Sequence, residues 1–198
     1  VLGITLPYEL CYTNILTALD LAGIPKRAVE RDGSHPLVLG GGSCALNPEP
    51  VADFFDAIVL GDGEEIIVEL AELLLHAKQQ GLGRQEVLRQ LAGVAGIYVP
   101  SFFQPVYADG RLIAVEALLP DSPPPQKRVL AELSAAPYLH HPLVPVVSPV
   151  HDRLGVEIAR GCTRGCRFCQ AGITYRPVRD RSLEEIMELA NQGIEQSG

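Results

Sequence analysis

RGCTRGCRFCQAG, residues 160–172, holds three of the five cysteines of this 198-residue chain in one short stretch. Upstream of it, RLGVEIA reads as a strand over Leu154–Ala159. Downstream, SLEEIMELANQGI reads as a helix opened by a capping box, with Ser182 as N-cap and Glu185 three residues on. The cysteines therefore fall on a long loop between a strand and a helix, and α/β folds place their ligands on loops that leave the carboxyl ends of strands. Cys162, Cys166 and Cys169 follow a C-x3-C-x2-C spacing, with Gly161 and Gly165 close by. Glycines there let the loop coil until three sulfurs face one point.

Three thiols at one point narrow the chemistry. Structural zinc takes four protein ligands, and the 29 residues after Cys169 contain no further Cys or His, while His151 lies behind the strand. A disulfide between two of the three would leave the third unpaired. A cubane iron–sulfur cluster, by contrast, is held by three cysteines on three irons with the fourth iron left open for a ligand, which points to chemistry rather than electron storage.

The rest of the chain limits the setting. With 47% hydrophobic and 20% charged residues, it is long enough for one large or two small domains with a real core. No apolar run approaches the roughly 20 residues of a membrane span, and no basic leader precedes an apolar segment. Five cysteines, an odd and unevenly placed set, do not make a secreted disulfide scaffold, so a reducing cytoplasm is expected. The net charge is −8, yet residues 151–181 carry seven Arg against three acids. The acidic body argues against broad nucleic-acid binding, and the basic patch around the cysteines suggests an anionic ligand or a solvated surface.

Toward the amino end, VLGITL reads as a buried strand stopped by Pro7. A helix capped by Thr13 or Asn14 follows, carrying Ile15, Leu16, Leu19 and Ala22 at helical spacing and ended by Gly23 and Pro25. Next come a short strand over Leu37–Leu39 with Gly40, Gly41 and Gly42 at its end, the strand AIVLG, the turn GDGEE and a helix from Glu65 to Gln80. In that helix Ile66, Leu70, Leu73 and Leu74 share a face. Alternating strands and helices imply a Rossmann-like parallel sheet with right-handed crossovers. A second helix is expected near 84–92, and Asp109-Gly110 between two β-rich runs marks a hairpin. Residues 1–118 are taken as the first domain, 119–150 as a proline-rich connector and 151–198 as the second. Cys11 and Cys44 read as buried packing residues. Asp62, Glu64 and Glu65 read as an acidic turn suited to a helix dipole.

The stretch HDRLGVEIARGCTRGCRFCQAGITYRPVRDRSLEEI resembles the first strand, cluster loop and first helix of the radical S-adenosylmethionine superfamily, a partial (β/α)6 TIM barrel. The resemblance implies a [4Fe-4S] cluster on Cys162, Cys166 and Cys169, S-adenosylmethionine on the open iron, an external one-electron donor, and cleavage to a 5′-deoxyadenosyl radical. It places Phe168, just before the last cysteine, beside the adenine. Arg160, Arg164 and Arg167 have a rationale beside an anionic cluster, and one of Arg176, Arg179 and Arg181 is a candidate contact for a carboxylate or the substrate.

Residues 1–65 are similar to the second half of a cobalamin-binding domain. Here the likeness rests on Thr5 at the first strand end, on Gly40, Gly41 and Gly42, and on the Gly-Asp-Gly-Glu-Glu turn, and it implies cobalamin as a further cofactor. The family's Asp-x-His-x-x-Gly motif, whose histidine ligates cobalt, is absent, and His35 and His76 lack that context. Taken whole, the chain resembles an uncharacterised radical S-adenosylmethionine family with a degenerate amino-terminal domain. It reads as a piece of a longer enzyme, inactive alone, with substrate and reaction unread. The alternatives are a cobalamin-binding or substrate-docking module and a non-catalytic iron–sulfur electron carrier.

Overall fold

The computed structural model describes residues 1–119, 124–136, 138, 143, 146, 147, 150 and 153–197. Residues 120–123 of the expected polyproline connector, and His151, lie outside them. The chain is mixed α/β and divides into two compact units, Val1–Arg128 and Val129–Gly198.

The first unit is built on a four-stranded sheet in the order β1 (Leu2–Thr5), β2 (Val38–Gly41), β3 (Ala57–Val59) and β4 (Ile97–Tyr98). The first three strands are parallel, with Thr5 opposite Gly41 and Gly40 opposite Ile58. Strand β4 runs antiparallel to β3; it lies in GIYV, residues 96–99, ahead of the hairpin. The stretch joining β2 to β3 is two 3-10 segments, Ser43–Leu46 and Glu49–Phe54, rather than an α-helix. Pro48 and Pro50 explain this, since each lacks the amide hydrogen that a continuing helix donates.

Helix α1 (Tyr12–Leu21) begins earlier than its sequence signals, with Cys11 as N-cap and no side-chain cap from Thr13 or Asn14. A 3-10 turn over Glu9–Cys11 leads into it. Its end is as expected: Gly23 turns left-handed at φ 66°, and Ile24 N–H donates back to Leu19 O at 2.9 Å. Helix α2 (Ile66–Gln79) buries Ile66 and Leu70, each worth about 1.5–3 kcal/mol. Helix α3 (Arg84–Ala92) buries Val87, Leu88 and Leu91. These side chains meet Leu6, Leu19, Val38, Phe55, Ile58 and Tyr98 in one core.

At the amino ends of the strands, Asp56 is enclosed by two arginines. Arg31 and Arg84 donate to its two oxygens at 2.8 and 2.6 Å, and Val38 N–H donates at 2.7 Å. The side chains of Arg31 and Asp56 are 0% and 2% exposed. Three more guanidinium hydrogens of Arg31 go to the carbonyls of Pro25, Lys26 and Phe54. The charges are buried, and every one is met.

Beyond β4 the hairpin forms as read, from β5 (Phe103–Ala108) and β6 (Arg111–Ala117). Asp109 and Gly110 both have positive φ, 50° and 72°, as a type I′ turn requires. The unit closes where Arg128 returns to pair with Gly61.

In the second unit only Ala159 of the expected strand Leu154–Ala159 is in a strand. Strand β7 (Ala159–Arg160) pairs antiparallel with β8 (Arg179–Asp180), and no described residue ladders with 154–158. An apolar run is a strand only where a neighbour takes its backbone hydrogen bonds. A short helix α4 (Ala171–Thr174) follows the cysteines, and α5 (Leu183–Ser197) completes the unit. The capping box is in place: Glu185 N–H donates to Ser182 Oγ at 3.1 Å, and Ser182 N–H donates to Glu185 Oε2 at 3.2 Å.

Candidate functional site

The cysteine loop runs from the end of β7 to the start of α4, and its base is fixed by a glycine and an arginine. Gly161 has φ 89°, and a Cβ there would stand 2.5 Å from Tyr175 O and 2.8 Å from Pro177 O. Only glycine lets the loop leave β7 so close to the returning chain. Arg179 is buried, and it donates to the carbonyls of Pro177, Tyr175 and Leu130 at 3.1, 3.3 and 2.6 Å. Gly165 has open space around it, so no contact there demands a glycine.

All three thiols of the loop are free, with Cys166 exposed and Cys162 and Cys169 half-buried. Cys166 and Cys169 line one cavity of about 430 Å³, together with Arg164, Arg167, Phe168, Gln170 and Arg176. Cys162 is not in that lining; its Sγ accepts a hydrogen bond from Arg164 N–H at 3.4 Å. Cys169 N–H donates to Cys166 O at 3.1 Å, so the last two cysteines share one tight turn. Among the described residues no three Cys, His, Asp or Glu side chains are closed around one point. Of the three cysteines, Cys166 and Cys169 share a cavity wall and Cys162 does not. The donor set is of a kind that suits iron and sulfur: three soft thiols on one short loop, one of them accepting an amide hydrogen. Phe168 is 92% exposed, its ring open to a flat partner.

The arginines separate by what they touch. Arg160 chelates Glu157 at 2.8 and 3.0 Å. Arg181 is buried, reaching Glu185 at 3.3 Å and lying 5.2 Å over the Tyr138 ring. Arg179 holds the three carbonyls just named. Of the expected anion contacts, only Arg176 lines the thiol cavity, with Arg164 and Arg167.

A second cavity, of about 680 Å³, lies over one face of the sheet in the first unit. It brings together Thr5, Gly40, Gly41 and Gly42, all four of the residues singled out there, with Leu39, Val59 and the α2 side chains Ile67, Leu70 and Leu74. The apolar α2 residues were missed as a lining. Ile67, 62% exposed and off the core stripe of the helix, was the signal. The glycines differ in their reasons. A Cβ on Gly40 would meet Phe55 at 3.0 Å, and one on Gly42 would meet the Leu6 backbone at 3.0 Å, so both answer to packing. Gly41 faces only Val59 Cβ at 3.6 Å, so no packing contact demands a glycine there. Neither His35 nor His76 lines the space; His35 is paired with Asp32 at 2.9 Å.

Other candidates resolve into structure. Glu65 pairs with Arg128 at 2.9 Å. Cys44 is buried, and burial followed by the nearby Glu9 charge raises its thiol pKa, which leaves it an unreactive packing group. No helix among the described residues is long and apolar enough to cross a membrane.

Residues 1–100 match the family described as "Radical SAM proteins, N-terminal". An uncharacterized protein of Methanocaldococcus jannaschii is 26% identical over 192 residues, which is 96% of this chain and 34% of that protein. The chain thus spans about a third of the curated relative it matches. No solved structure matches it. On the strength of the match across its amino-terminal half, this chain belongs to the radical SAM protein N-terminal family.

Proposed function

We propose that this chain carries the cluster-binding loop of a radical S-adenosylmethionine enzyme, with Cys162, Cys166 and Cys169 holding a [4Fe-4S] cluster in a reducing cytoplasm. The observation that carries the reading is the loop itself: two thiols on one cavity wall and a third held by an amide, in a chain whose other half matches the radical SAM amino-terminal family. When bound, such a cluster supplies the single electron that cleaves S-adenosylmethionine to a 5′-deoxyadenosyl radical. The chain's own residues supply placement. Arg179 and Gly161 hold the loop's two ends together, Arg164 N–H keeps Cys162 Sγ in position, and Phe168 offers a face for the adenine. The 151–198 region is read as the opening of a partial TIM barrel, and the parallel sheet before it as Rossmann-like.

The test uses full-length protein reconstituted without oxygen. About four irons per chain and cleavage of S-adenosylmethionine are expected, both lost when any one of the three cysteines becomes alanine. One zinc and no iron would overturn the reading. A cluster whose EPR spectrum ignores added S-adenosylmethionine would make it an electron carrier instead.

A second reading concerns the first unit, where Thr5 and Gly41 open on an apolar cavity wide enough for a bulky ligand. Cobalamin, or a substrate docked there, is the occupant proposed. Titration of full-length protein with cobalamin decides: saturable binding that Gly41→Val abolishes supports it, and no binding leaves the sheet a structural role.

A further inference from the structure

A two-stranded hairpin is marginal in water unless one of its faces is covered, and the hairpin of the first unit has a face that calls for cover. Cross-strand partners point to the same side, and successive residues alternate. The register pairs Phe103 with Ala117, Pro105 with Val115 and Tyr107 with Leu112, so these six apolar residues share one face. Gln104, opposite Glu116, and Arg111, opposite Ala108, lie on the other. The irregularity between Val106 and Tyr107 leaves Ile113 as the extra residue, and Leu112 and Val115 keep to one side across it. At its base the apolar face runs into the core, where Phe103 is buried. Further out it opens to solvent: Tyr107, Leu112 and Val115 are 60%, 43% and 37% exposed.

The face carries no charge, so an apolar surface suits it. A second copy of the chain is a poor fit. Stable interfaces between separate chains bury roughly 800 Å² on each partner, and three partly exposed side chains beside Pro105 and Ala117 fall well short of that. A segment of the same chain needs less area, because its tether holds it at an effective concentration of about millimolar. The Methanocaldococcus jannaschii protein has such chain to supply, since the match covers only 34% of it. From the hairpin, residues 118–128 lead straight to the unit that carries the cysteine loop.

We propose that the apolar face of the β5–β6 hairpin is the seat for a segment that follows residue 198 in the full-length chain, gripped by Tyr107, Leu112 and Val115. The inference rests on the reading above, in which residues 151–198 open a longer barrel. The hairpin then acts as a clasp between the first unit and the remainder of the enzyme.

Two measurements on full-length protein test this. In the first, p-benzoylphenylalanine takes the place of Leu112, and an equal mixture of isotopically light and heavy copies is irradiated. Links should run to residues after 198 of the same copy, and the same probe in place of Glu116, on the polar face, should give far fewer. Links to a second copy, links confined to residues 1–198, no links from position 112, or equal yields from both positions would overturn the proposal. In the second, amide hydrogen exchange of Arg111–Ala117 is followed in Tyr107→Ser/Val115→Ser. Exchange there should quicken about tenfold or more while the sheet of the first unit keeps its protection, and Gln104→Ser/Glu116→Ser should leave it as it was. Unchanged exchange in Tyr107→Ser/Val115→Ser would also overturn it. Iron content separates the two readings: protein that takes up no iron yet links position 112 to residues after 198 breaks the cluster reading and leaves the seat standing, whereas a full cluster without such links breaks the seat alone.

Discussion

The two units hold themselves together by different means. Val1–Arg128 buries a continuous set of side chains from Leu6 to Phe103 around its sheet. In Val129–Gly198 the buried apolar side chains among the described residues are Leu130, Leu133 and Leu189, while Thr174, Arg179 and Arg181 are buried polar groups. The first unit is a packed scaffold whose cavity is a gap left in a core. The second is a frame of hydrogen bonds around a loop, and its site is only as firm as those bonds. Cores are non-directional and tolerate small shifts, whereas a hydrogen-bonded frame fails when one donor goes.

Each unit can be attacked at the point that defines it. The largest effect is expected in the first, where Asp56→Ala leaves two largely buried guanidinium groups without their counter-charge and should cost about 3–5 kcal/mol, read as a lower urea midpoint. In the second, Arg179→Ala strands the carbonyls of Leu130, Tyr175 and Pro177 and should cost about 1–3 kcal/mol. Iron uptake should fall with it while the first unit's urea transition stays put; unaltered iron content would show the frame to be dispensable. Gly40→Ala pushes on Phe55 and should destabilise by about 1–3 kcal/mol, but Gly41→Ala, with open space before it, should stay within about 1 kcal/mol.

The smallest effect is electrostatic. Hydrogen bonds from Ser34, side chain and then backbone, together with His35, hold the Asp32 carboxyl down to about 2 from 3.8. Its stabilisation is complete above the unfolded value and is lost as pH falls through about 2. Asp32→Asn should flatten the acid limb of the melting temperature over that window and lower it slightly at neutral pH, where the wild-type contribution is complete.

What could be read from the residues alone was whatever repeats or caps. The α2 stripe, the Asp109-Gly110 turn and the Ser182–Glu185 box each carry their cause within a few positions, and each is where it was expected. The cysteine loop lies between β7 and α4, and Thr5, Gly40, Gly41 and Gly42, singled out by resemblance, fall on one cavity. The illegible parts depend on partners far away in sequence. Leu154–Ile158 has strand composition but, among the described residues, no strand pairs with it. Asp56 meets arginines 25 and 28 residues distant. Arg179 looked like an anion ligand because bonds to carbonyls leave no pattern in a sequence.

The return of the chain at Arg128 has a mechanical consequence. Its N–H donates to Leu60 O, its carbonyl accepts from Asp62 N–H, and its guanidinium grips Glu65 and Glu69 on the first turns of α2. A tug on the chain from residue 129 onward is therefore borne by that fastening and by the start of α2 before it reaches the hairpin or the sheet. Pulled in an optical trap, the first unit should yield there in a small early extension, with its sheet still intact.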